Sequence, residues 1–121
     1  MTQAPIDVAT RRSFCTLVAA AFIDRNIDNA EKALLYRKGR EMRMPVQMID
    51  EIVEMGRQGK LGLSIPMTHQ GKEALLDDLI DIACADGRLE PAENHLLMKF
   101  AGYVGLDAHG LGERVRSRMG K

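Results

Sequence analysis

Six carboxylates stand in two matched turns of this chain. Asp24, Asp28 and Glu31 form the first set, and Asp86, Glu90 and Glu93 recur 62 positions further on. Carboxylates gathered at a helix start can do two kinds of work. They can supply several oxygen ligands to a hard divalent cation such as calcium, magnesium or manganese. Alternatively, as N-cap and N3 residues, they satisfy orphan amides and the helix dipole, worth about 1 kcal/mol per cap without any metal. Both readings account for the same residues. The first turn is not an EF-hand: Asp24, Asn26 and Asp28 match its opening positions, but the twelfth place holds Leu35 rather than a bidentate glutamate.

The elements that carry these turns are themselves duplicated. Leu17 aligns with Leu79, Ala21 with Ala83, Asp24 with Asp86, Ala30 with Ala92, Glu31 with Glu93, and Leu34-Leu35 with Leu96-Leu97, without a gap. Ile27 falls on Leu89 and Asp28 on Glu90, so apolar and acidic character persist where identity does not. A repeat of this kind constrains architecture more than any local propensity. Two copies are too few for a solenoid. They predict one domain over residues 1–121, an all-α compact bundle of six to seven helices with pseudo-twofold symmetry. Repeat one covers about 7–58, a linker about 59–67, and repeat two about 68–119.

Periodicity places the helices. Asp7 can cap a first helix reaching about Asp24, with Phe14, Leu17, Val18, Ala21 and Phe22 on one face. Asp28 and Glu31 have capping-box spacing for a second helix that runs to about Met42. Pro45 opens a third, whose stripe is Met48, Ile49, Ile52, Val53 and Met55. Gly56, Gly59 and Gly62 with Ser64 and Pro66 mark the linker. The fourth helix, about Thr68 to Ala85, turns Leu75, Leu76, Leu79, Ile82 and Ala83 inward and Asp77, Asp78 and Asp81 outward. Glu90-Pro91 starts the fifth, and Gly105-Leu106 reads as its left-handed cap. Asp107 caps a last helix that ends in Arg114, Arg116 and Arg118, cations well placed for its dipole. No stretch alternates with period two for long enough to make a strand.

Bulk properties narrow the function classes. The chain has 121 residues, 45% hydrophobic but only 4% aromatic, and zero formal charge. An aliphatic core of this kind favours helices, and no global field attracts nucleic acid. Charge is uneven locally. Residues 70–93 carry seven acids and two cations, whereas residues 32–43 carry Lys32, Arg37, Lys38, Arg40 and Arg43 against Glu41 alone. The basic set reads as a solvated face. Opposite an acidic fourth helix it would also serve self-association or docking to a charged partner. Met42, Met44, Met48 and Met55 read as core filling or as a soft groove for a partner helix. Cys15 and Cys84 have no ligand spacing and read as buried, reduced thiols.

Other motifs fail on inspection. Arg11-Arg12 before an apolar run imitates a twin-arginine export signal, but cleavage after the following alanines would delete half the repeat. Gly56-Arg57-Gln58-Gly59-Lys60 lacks the first glycine, the following Ser/Thr and the preceding strand of a phosphate loop. His69, His95 and His109 form no spaced pair. No apolar run approaches the roughly 20 residues needed to span a bilayer.

The string Ala83-Cys84-Ala85-Asp86-Gly87-Arg88-Leu89-Glu90-Pro91-Ala92-Glu93, with its partner in the first repeat, resembles the TerB-like family, named for bacterial tellurite-resistance proteins. That resemblance covers about residues 10 to 115. It implies a small all-helical domain with an acidic turn in each half, also found in some membrane-tethered DnaJ-like co-chaperones. It further implies divalent-cation binding through Asp86, Glu90 and Glu93, and through Asp24, Asp28 and Glu31. The first turn departs from the pattern, since Arg25 stands where the second has Gly87. The resulting expectation is a non-enzymatic cytoplasmic interaction or scaffold domain with a protein partner or self-association, no nucleic acid, no transmembrane segment, and association with a membrane-bound complex in view. Two alternatives remain: a hydrolase-like enzyme using carboxylates paired across the repeats, and a ligand-free docking module with an apolar groove around Met48 or Met55.

Overall fold

The computed structural model describes residues 6–23, 27–85, 87, 89 and 91–120. Among them the chain forms six helices and no strand: α1 (Val8–Ala21), α2 (Asn29–Glu41), α3 (Val46–Arg57), α4 (His69–Ala83), α5 (Pro91–Tyr103) and α6 (Ala108–Met119). The 62-residue offset of the sequence recurs in the elements: α5 begins 62 residues after α2, and α6 begins 62 after α3.

Local chemistry sets the ends. Asp7, Thr68 and Asp107 each accept a hydrogen bond from the amide three residues on, capping α1, α4 and α6. Asp28 and Glu31 complete a reciprocal capping box at α2. Gly105 takes φ +83°, and the Leu106 amide reaches back to the Ala101 carbonyl at 2.9 Å, closing α5 with the cap read from the sequence. The helix starting at Asp7 ends at Ala21, short of the expected Asp24.

Packing follows the repeat. α1 lies against α4 at the centre, α2 and α3 flank α1, and α5 and α6 flank α4. Phe14, Leu17, Leu35, Ile49 and Ile52 from the first half meet Leu76, Leu79, Ile80, Ile82 and Leu97 from the second in one aliphatic core.

Two sequence assignments need correction here. Gly56 is not in the linker. It is buried inside α3, and a Cβ there would lie 2.4 Å from Val18 Cγ1 and 3.0 Å from Phe22 Cδ2. Its missing side chain lets α3 close on α1, which also explains why Met55, the expected stripe residue, is 37% exposed. Gly56→Ala is therefore expected to lose about 1–2 kcal/mol, with overpacking outweighing the gain in helix propensity. Gly102→Ala, on an exposed helical position with open space around it, should gain about 0.5–1 kcal/mol. Thermal melts of the two variants should move in opposite directions.

Candidate functional site

The first turn delivers its glutamate into the interior. Asp28 Oδ1 accepts from the Glu31 amide at 2.7 Å, while Glu31 Oε1 accepts from the Asp28 amide at 3.4 Å. Capping thus uses one oxygen of Glu31. The other, Oε2, is buried with no hydrogen-bond donor facing it. Glu93, in the first turn of α5, is equally buried. It sits against α1 and α4 beside Ala20, Leu79 and Ala83.

The two glutamates act on each other. Burial pushes the Glu31 carboxyl up to about 8, although the Asp28 amide pulls it down, and the charge and hydrogen bond of Glu93 raise it further. At neutral pH the pair therefore carries a proton, because two adjacent carboxylates cannot both stay charged where water is scarce. The equivalent N3 glutamates of the two repeats converge at one place.

The remaining sequence candidates are divided. Asp28 is half-buried beside Glu31 and occupied with capping. Asp24, Asp86 and Glu90 lie outside the described residues, as does Arg25, so the departure at that position has no structural account. Gly87 takes φ +83°, the left-handed conformation that favours glycine in the second turn. Among the described residues no group of three or more His, Cys, Asp or Glu side chains could hold a metal ion. The residues present still fit a cation in one respect: a buried, unpartnered carboxylate oxygen beside a second carboxylate is what a divalent ion would relieve. The cleft bordering Glu93 has a volume of about 10 Å³, room for an ion or a water but no substrate.

A second polar cluster was misread in the sequence. Asp77, Asp78 and Asp81 do not face open solvent, and Lys38 is not part of a solvated basic face. Lys38 is buried and its Nζ reaches Asp78 Oδ1 at 2.8 Å and Asp81 Oδ2 at 3.0 Å. Arg118 grips Asp81 through two bonds of 2.6 Å, and Arg114 Nε meets Asp77 Oδ1 at 2.8 Å. Burial alone would raise the Asp81 carboxyl, but Arg118 and Lys38 outweigh it and hold it below its usual range. The acidic face of α4 is thus a clamp for α2 and α6 inside one molecule, and Lys38 is not available to a partner. The α4 spacing of the three acids was legible, but only the placement of α2 and α6 pairs them.

Neither Cys15 nor Cys84 forms a disulfide; Cys84 is buried, whereas Cys15 is only partly so, contrary to expectation. Burial pushes the Cys15 thiol up, against the pull of Arg11.

Among the described residues the chain is a six-helix, all-α bundle in which Glu31 and Glu93 act on each other. Residues 62–114 match the family model described as tellurite resistance protein TerB. The match takes in α4, α5 and most of α6, so it is the second repeat that is similar to this family. No curated protein and no solved structure matches the chain. Among the described residues no helix is long and apolar enough to cross a membrane.

Proposed function

We propose that this chain is a non-enzymatic, cytoplasmic interaction module whose two repeats are joined by a divalent cation at the Glu31–Glu93 pair. The observation that carries this reading is the buried Oε2 of Glu31, which has no hydrogen-bond partner among the described residues, on a carboxyl raised by its burial and by the nearby Glu93. Glu31 and Glu93 would be the ligands; the other sequence candidates, Asp24, Asp86 and Glu90, lie outside the described residues, and Asp28 caps α2. Calcium, magnesium and manganese suit such a donor set. Cation and proton compete for Glu31, so the metal would replace the shared proton as the charge that holds the turns together. A cleft of about 10 Å³ beside Glu93 favours an ion with a structural task over a catalytic centre that must also admit a substrate.

Isothermal titration of metal-free protein with calcium, magnesium and manganese tests the proposal. Binding of at least one ion is expected, with a melting point about 5 °C higher at a tenfold excess over Kd. Glu93→Gln should weaken that binding by more than tenfold. Absence of both heat and a melting shift at millimolar metal would remove the cation from the reading.

A further inference from the structure

The strap between the repeats presents its apolar side chains the wrong way round for a linker. From Leu63 to Met67 burial alternates: Leu63, Ile65 and Met67 are exposed, Met67 almost completely at 97%, while Ser64 and Pro66 are partly buried. Period-two alternation is the mark of an extended chain. The strap is pinned at its middle by a fully buried hydroxyl. The Ser64 amide donates to Thr16 Oγ1 at 2.9 Å, and that hydroxyl donates to the Ser64 carbonyl at 3.2 Å.

That pinning decides what the strap's edge offers. In an extended chain, backbone groups of successive residues point to opposite edges. With Ser64 facing Thr16, the N–H and C=O groups of Leu63 and Ile65 point to the other edge. Among the described residues they have no hydrogen-bond partner. Pro66 shares the Ser64 edge, so its missing N–H costs the free edge nothing.

The unpaired charge beside this edge is positive. Two grooves, of about 560 and 520 Å³, lie between the strap and the start of α1, and both include Val8, Arg12 and Ser64. Arg11 lines one of them. Arg11 and Arg12 are exposed and make no ion pair among the described residues. The nearby acids are committed elsewhere: Asp7 caps α1, and Asp78 binds Lys38. Lys60 adds a further exposed cation where the strap begins.

From this juxtaposition we infer that residues 61–67 form a docking edge for an extended acidic peptide segment of another protein. The segment would add as a strand to Leu63 and Ile65, set apolar side chains among Val8, Leu63, Ile65 and Met67, and pair its carboxylates with Arg11 and Arg12. A second copy of the strap is a poorer occupant, because twofold pairing would bring its own Arg11 and Arg12 towards their equivalents. The groove differs from the one anticipated around Met48 and Met55, neither of which lines it.

Selection from a random linear-peptide library displayed on phage, against the full chain at low ionic strength, supplies the probe. Enriched peptides should alternate apolar residues and carry aspartate or glutamate, and binding should slow amide exchange at Leu63 and Ile65. Leu63→Pro, which removes one outward N–H, should weaken the best peptide about tenfold. Arg11→Gln with Arg12→Gln should weaken it about tenfold and flatten its salt dependence. Leu63→Ala, which keeps the amide, should bind within about threefold of the parent. No enrichment, enriched peptides without acidic residues, or binding that leaves the Leu63 and Ile65 amides unprotected would overturn the inference. Adsorption to phosphatidylglycerol vesicles through Arg11 and Arg12 with no peptide enriched would overturn it in favour of a lipid surface. Because the strap does not contribute to the acidic turns, this test stands or falls independently of cation binding.

Discussion

Lys38→Met is expected to lower stability by about 2–3 kcal/mol and the melting point by about 10 °C. The substituted side chain would fill similar space, so the loss reports charge rather than packing. Lys38 is buried and serves two carboxylates of α4, Asp78 and Asp81. Without it Asp81 keeps its bonds to Arg118, but Asp78 keeps only the more distant charge of Arg118. The value sits at or below the low end for a broken buried ion pair because both carboxylates remain about a quarter exposed. Its pH dependence has a definite sign. Lys38 is raised in the folded protein: burial opposes the charge, but Asp78 and Asp81 outweigh it, so its contribution persists until pH rises above its usual range. Asp81 is lowered, so its contribution is lost only as pH falls below the usual carboxylate range. The deficit should stay constant from pH 5 to 9 and shrink in acid. A solvated Lys38 would instead give a change within about 0.5 kcal/mol.

Glu31→Gln is expected to act in the opposite direction. The folded protein holds the Glu31 proton up to about pH 8, against an ordinary value of 4.5. The stability this group contributes is therefore fully present below pH 4.5, declines as pH rises towards 8, and changes no further above it. Glutamine stays neutral throughout and can keep the capping-box contact to the Asp28 amide. In metal-free buffer the variant should match the parent near pH 5 and melt about 5 °C higher at pH 9. Solvent at the turn keeps that gain well below what the full shift would imply. The same substitution should weaken divalent-cation binding by about a hundredfold, since it removes a charged ligand. Melting curves that run parallel for the two proteins across this pH range would contradict the account of the pair.

The contrast between these two sites shows what sequence could reveal. The repeat aligned Glu31 with Glu93, and the capping-box spacing placed Glu31 in the first turn of its helix; both features are local and survive translation into structure. That the two glutamates meet follows from the sequence only under the paired-carboxylate alternative, because contact across a pseudo-axis depends on how the repeats pack. Lys38 shows the opposite case. Its neighbours Arg37 and Arg40 are exposed, and one turn of helix separates a solvated cation from a buried one. Only the docking of α4 against α2 decides between them. Gly56 was likewise assigned by its residue type to a linker, whereas the close approach of α1 and α3 calls for a position without a Cβ. The strap was read as a loop by composition. Its apolar residues gain meaning only once Thr16 fixes which way Ser64 faces.

Diffraction from crystals of the protein soaked in manganese, collected at the manganese absorption edge, tests the central claim most directly. The account predicts an anomalous peak between the carboxylates of Glu31 and Glu93 that disappears in Glu31→Gln crystals treated identically. A peak elsewhere on the molecule, or none at a concentration that saturates any calorimetric site, would contradict it.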